Sequence, residues 1–386
     1  MRSLNRLAAA GVILVALAGC QRAPEPVNFI AEGKPAKLSE WHLLGSDGKH
    51  LSLGAGVLPY DLNTPLFSDH AHKLRTVWMP TGKAAGYSDQ DAFDFPVGTI
   101  LSKTFYYPKA EGTPSGSALL LRQTGAAEPG SPADGLDLSK VRLIETRLLV
   151  RREAGWMALP YVWNDEQTEA TLERTGDSRQ VELVDEPGHH QRFTYVVPNE
   201  NQCASCHVVD LKKRVFLPLG PKARHLNRDL QYADGSDNQL ARWVKAGYLS
   251  GLPSPLDPSA LPRAANWRDE SAPLPDRARA YLDINCAHCH QASATASNTA
   301  LRLDAFAPLD WSMGLCKPPV AAGKGTGDRL FGIVPGQPDA SIMAFRMASS
   351  EGGVMMPELG RGTVHEEGLR LVRQWIASLP GRCTPP

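Results

Sequence analysis

Residues 203–207 read CASCH, and residues 286–290 read CAHCH. Each is Cys-x-x-Cys-His, a spacing that serves three chemistries. Such a cysteine pair can bind zinc, cycle as a dithiol, or form thioethers with a haem. A histidine directly after the second cysteine supplies an axial ligand for a haem iron. A zinc ribbon uses four thiolates and gives the repeated histidine no role. A dithiol oxidoreductase calls for a thioredoxin-like βαβ pattern, and the chain shows none. The reading is covalent haem c at both places, two in all. Cys203 and Cys206 hold the first haem with His207 on its iron. Cys286 and Cys289 hold the second with His290.

Three of the seven cysteines lie outside these motifs: Cys20, Cys316 and Cys383. The N-terminus accounts for the first. MRSLNR carries two arginines, and LAAAGVILVALAG is an apolar run too short to span a bilayer comfortably. It ends Leu17-Ala18-Gly19-Cys20, which reads as a bacterial lipoprotein signal with Cys20 as the lipidated residue. Gln21 in place of aspartate resembles outer-membrane sorting. The expected location is the periplasm, lipid-anchored at the outer membrane. In that oxidising compartment Cys316 and Cys383 are expected to pair. Hydrophobic residues at 42% and charged residues at 21% are ordinary globular values. Lys+Arg 41 balances Asp+Glu 41, and nothing in that balance suggests a nucleic-acid surface or a polybasic membrane patch.

The texture divides the chain. Residues 1–20 are the signal and 21–35 a polar tether. Residues 36–198 are β-rich: FPVGTILSKTFYYP, VRLIETRLLVRR, WMALPYVWN and QRFTYVVP are β-branched and aromatic runs with partial alternation. Gly, Pro, Asp and Asn clusters separate them. Residues 199–252 form a first haem module, closed by a helix in NQLARWVKAGYL. Six prolines in 253–277 read as an extended linker. In the second haem module, 278–386, a helix over RARAYLDIN runs into the motif. Thr363-Val-His-Glu366 reads as a capping box. Leu369, Val372, Ile376 and Leu379 then make one apolar stripe.

The sixth iron ligand separates a carrier from a catalyst, because a His/Met iron has no vacant site. Met313, Met343, Met347, Met355 and Met356 follow the second motif, and Met356, in a loop before Pro357, is the chosen ligand of the second haem. The first module has no methionine between His207 and the second motif, so His225 is its candidate. His189, His190 or Met157 from the β domain, or an open site, are the alternatives. Asp69-His70-x-His72 reads better as a polar loop than as a metal site. GKGTGDR at 323–329 lacks the spacing of a phosphate loop.

The haem portion, about 195–386, resembles the cytochrome c superfamily. Through NTPLFSDHAHK, FPVGTILSKTF, ETRLLVRR, PYVWN, NQCASCH, PLGPKARHLNRD, INCAHCH and MMPELGR, the whole chain resembles a family of uncharacterised dihaem c-type cytochrome lipoproteins. The resemblance implies export and, as a partner, a β-helix repeat protein encoded alongside. It implies no particular reaction. The expected architecture is multidomain: a β-rich, sandwich-like N-terminal domain followed by two mainly α haem domains of the cytochrome c type. The expected function is electron transfer between periplasmic or membrane redox partners. The alternative is a peroxidase-like oxidoreductase whose open first haem faces a pocket in the β domain, so whether the chain is an enzyme stays open.

Overall fold

In a computed structural model, the structure describes residues 25–110, 120–122, 135–184, 190–321 and 323–384. The signal with Cys20, and His189, lie outside the described residues. Among those residues no helix is long and apolar enough to cross a membrane.

An antiparallel six-stranded sheet forms the centre. Its strands are β1 (Leu58–Tyr60), β2 (His72–Trp78), β3 (Ile100–Pro108), β5 (Val141–Arg152), β6 (Gly155–Trp163) and β7 (Ala170–Leu172), in spatial order β7-β6-β5-β3-β2-β1. A three-stranded sheet joins β4 (Leu120–Arg122), β8 (Asp177–Val184) and β9 (His190–Val197). Successive strand residues point to opposite faces, so each strand feeds two environments. One face carries Leu74, Ile100, Leu148, Leu159 and Tyr161 into a core closed by Leu38, Trp41 and Leu51. Trp41 Nε1 donates to Tyr161 Oη at 2.9 Å there.

The opposite face is divided in three. At one end Val77 and Leu101 pack against Leu226, Leu240 and Trp243, from the segment after the first motif. At the other end Phe105 and Val162 pack against Val181, Leu183 and Tyr195 of β8 and β9. Between them lies a row of charge. Arg75 on β2 is opposite Lys103 on β3, and Lys103 is opposite Arg147 on β5.

The expectation of two mainly α haem domains is wrong. Among the described residues the chain is mostly β, with six short α-helices. These are α1 (Glu200–His207), α2 (Ala223–Leu226), α3 (Gln239–Lys245), α4 (Leu274–Asn285), α5 (Ile342–Ala348) and α6 (Glu366–Ser378). Downstream of the first motif the backbone satisfies itself in ladders. Val208–Asp210 pairs with Val215–Phe216, and Asp229–Tyr232 pairs with Gly235–Asn238. Leu249–Ser250 pairs in parallel with Ala85–Gly86 of the N-terminal part. The first module thus shares sheet and core with the β-rich part. Residues 253–277 are not a free linker either. Thr64 Oγ1 donates to the Ala265 carbonyl at 2.7 Å, and Trp267 is buried.

The C-terminal core packs Trp267, Tyr281 and Leu282 against Met313, Ile333 and Val372. Helices α4 and α6 meet where Gly368 faces Tyr281. A Cβ at 368 would lie 2.3 Å from that ring, so only glycine allows the approach. Thr363 does not complete a capping box. The α6 N-cap is His365, without a side-chain cap bond, and Thr363 Oγ1 donates to Asp69 Oδ1 at 2.8 Å.

Candidate functional site

A cavity of about 470 Å³ opens between the charged row and the two motifs. Cys203, Cys206 and His207 line it from α1, and Cys286 and His288 from the second motif. Its size falls in the usual range for small-ligand sites.

Helix α1 is built to present the first motif. Asn199 Oδ1 accepts from the Gln202 amide while Gln202 Oε1 accepts from the Asn199 amide, a reciprocal cap. His207 closes the helix. Its Nδ1 lies 2.8 Å from the Leu217 carbonyl. A carbonyl only accepts, so Nδ1 holds the proton and Nε2 keeps its lone pair. Phe216 stacks on the ring at 5.1 Å. Burial, against the Leu217 bond, pushes the imidazole pKa down to about 4.

The second motif follows α4 directly and repeats this logic. His290 Nδ1 lies 3.2 Å from Thr299 Oγ1, and that hydroxyl donates its own hydrogen to the Ala296 carbonyl at 2.7 Å. Thr299 must therefore accept from Nδ1–H, which again leaves Nε2 bare. Both motif histidines are in the tautomer that a metal bound at Nε2 requires.

The motifs meet at their second cysteines. The sulfurs of Cys206 and Cys289 and a ring nitrogen of His288 all lie within 4.8 Å of one another. Thr295 Oγ1 donates to the Ser205 carbonyl at 2.8 Å, and Ser293 Oγ donates to the Val209 carbonyl at 2.7 Å, pinning the two segments together. With Cys206, His288 and Thr295 close by, the Cys289 thiol is held low and its neighbour Cys206 is pushed up. Burial raises Cys286 to about 12 and also raises Cys203.

The expected sixth ligands are placed differently from one another. Met347, Met355 and Met356 line the cavity, whereas Met313 is fully buried in the C-terminal core. Arg361 shapes the methionine loop. Its Nη2 donates to the carbonyls of Met347 and Met356 at 3.3 and 2.8 Å. His225 is buried, and its Nε2 lies 2.9 Å from Asp283 Oδ2. Only Nδ1 is left without a partner, so the nitrogen that usually meets iron is already engaged. His190 is tied to Glu182 at 2.7 Å, and Met157 packs into the core on the far face of the sheet. Cys316 and Cys383 are disulfide-bonded.

Sequence reasoning missed the role of Asn63–Lys73. Asn63 Nδ2 donates to the Arg224 carbonyl at 3.0 Å, and the Phe67 amide donates to Asn285 Oδ1 at 2.9 Å. Asp69 accepts from the amides of Gly362 and Thr363 at 2.8 Å each. Phe67 stacks on His365 at 4.1 Å. This stretch clamps the first module, α4 and the C-terminal loop together around the cavity, with Asp69 and His70 at the junction, while His72 stacks on Tyr106 within the sheet. The sequence signal was polar density beside a strand, which does not reveal such distant partners.

No family model matches the chain, and neither a curated protein nor a solved structure matches it.

Proposed function

We propose that the chain is an exported dihaem c-type cytochrome that relays electrons between partner proteins, anchored by a lipid on Cys20. One observation carries this reading: in both motifs the histidine's Nδ1 proton is fixed by a neighbour, and Nε2 is left for a metal. The donor set fits the group, since each motif offers two thiols and one imidazole over five residues. When bound, the haems supply one-electron chemistry. The chain's own part is to hold the imidazoles by Leu217 and Thr299, to bring Cys206 beside Cys289, and to keep Met356 or a neighbouring methionine facing the cavity. The contact of the two motifs makes the relay short within the chain. Partners are redox proteins of the periplasm, with a β-helix repeat protein encoded alongside as a specific candidate.

A second reading has its own support. Asp283 engages His225, which takes away the sixth ligand expected for the first haem. An open first iron facing the cavity would allow oxidoreductase chemistry on a small molecule. The Cys206–His288–Cys289 cluster could also hold zinc, but it offers three ligands where a structural zinc takes four.

Carbon monoxide added to the dithionite-reduced, haem-loaded chain separates the first two. An electron relay with closed irons gives no Soret shift. A shift worth about one haem moves the account to the oxidoreductase.

A further inference from the structure

The row Arg75–Lys103–Arg147 is a costly thing to build. Like charges directly opposite one another on adjacent strands repel, and here three cations stand side by side on a largely covered sheet face. Two of them have carboxylate partners. Arg75 Nη1 lies 2.8 Å from Asp61 Oδ1, and Arg147 Nε lies 2.8 Å from Glu145 Oε2. Glu145 is fully buried and also accepts from Tyr195 Oη at 2.6 Å, so it is spoken for. Lys103, the middle member, has no carboxylate within ion-pairing distance among the described residues. Its ammonium stands 5.2 Å from the Phe105 ring, a ring that Arg147 approaches at 4.3 Å. Burial, then Arg147, Arg75 and Lys73, push its pKa down to about 7. Lys73, Arg75, Lys103 and Arg147 all line the cavity that Cys203 and His207 line.

We propose that this cationic row is a carboxylate-binding floor, with Lys103 as the residue that pairs the incoming carboxylate. The inference rests on the haem reading in one respect: the propionates of the first haem are one source of that carboxylate. A diffusible di- or monocarboxylate entering the cavity is the other. Both need the same thing, a cation without a protein counter-ion on a rigid strand. Lys103 supplies it between Arg75, which shares Asp61 with Arg228, and Arg147, which is paired with Glu145.

The test uses the full haem-loaded chain with Lys103→Met and Lys103→Arg, after circular dichroism and haem content confirm that each variant is folded and loaded. Resonance Raman reads the propionate bending bands. Oxalate and succinate titrations, against chloride at equal ionic strength, read the Soret band. If propionates occupy the floor, Lys103→Met shifts the bending bands, Lys103→Arg restores them, and the wild type ignores added dicarboxylate. If a diffusible carboxylate occupies it, the wild type gives a saturable Soret shift, and Lys103→Met weakens binding at least tenfold. Unchanged bands together with no carboxylate response in the wild type would overturn the proposal. Should the wild type carry no haem, the haem reading fails separately. Calorimetric titration of oxalate into wild type and Lys103→Met then decides the floor alone, and equal heats would reject it.

Discussion

Replacing Asp283 by alanine should cost about 3–5 kcal/mol, the usual penalty for stranding a buried charge. Asp283 sits on α4, three residues before Cys286. Its two oxygens take Arg224 Nε at 2.8 Å, Arg224 Nη2 at 3.0 Å and His225 Nε2 at 2.9 Å, and the Ala305 amide at 3.1 Å. Side-chain exposure is 1% for Asp283 and 5% for Arg224, so water cannot replace the lost partner. The intact pair is worth less than this, because burying both charges cost desolvation. Asp283→Ala combined with Arg224→Met should therefore recover much of the loss. The pH behaviour has a definite sign. Burial would raise the Asp283 carboxyl, but His225 and Arg224 hold it well below the ordinary carboxylate range. Its contribution is complete above the unfolded-state value near 3.9 and fades as pH falls toward the folded value. The penalty should thus be flat from pH 7 to 5 and shrink only below about pH 4. Urea unfolding of the haem-loaded chain, followed by far-ultraviolet circular dichroism, measures it. A cost under about 1 kcal/mol, or a double variant no better than the single, would refute the reasoning.

Arg361→Leu removes the donor that gathers the carbonyls of Arg346, Met347, Ser349 and Met356. It should cost roughly 2–4 kcal/mol, at about 1.5–3 kcal/mol per charge-assisted bond with partial rearrangement. If the second motif holds a haem closed by Met356, it should also weaken the methionine-to-iron charge-transfer band in the oxidised spectrum. Reducing Cys316–Cys383, which spans 67 residues, should lower stability by about 4 kcal/mol on the chain-entropy view, read as a shift in urea midpoint. Burial depresses His70 to about 4. The unfolded chain binds that proton first, so stability should decline as pH falls below about 6.5, by up to about 3 kcal/mol near pH 4. His70→Gln should reduce that slope without abolishing it in urea midpoints taken at pH 7.5, 6 and 5, because burial also depresses His72 and His365.

Local chemistry was readable and long-range partnership was not. CASCH and CAHCH stand out by residue type alone, the helix expected over RARAYLDIN forms as Leu274–Asn285, and Glu366–Ser378 follows from its apolar stripe. The expectation of two mainly α domains failed because three helix-like stretches were extended over the chain between them. YADGSD was a hairpin signal within that stretch, and Asp229–Asn238 folds as one, turning at Ala233-Asp234 with Gly235 opening the returning strand. Thr363 looked like a cap because the pattern with Glu366 is local, but Asp69, almost three hundred residues earlier, takes its hydroxyl. The cationic row was hidden for a related reason. Lys103 and Arg147 sit in alternating strands whose pairing register only the fold fixes. His225 was offered to iron by elimination, and a buried carboxylate on a distant helix engages it.

The central claim is that both motifs carry covalent haem. Intact-mass spectrometry of the exported chain, with a pyridine haemochrome assay on the same sample, tests it most directly. The account expects the mass of two haems on the wild type, one on Cys203→Ser/Cys206→Ser, and one on Cys286→Ser/Cys289→Ser. A chain with no haem mass, and with zinc bound in proportion to Cys206 and Cys289, would contradict it.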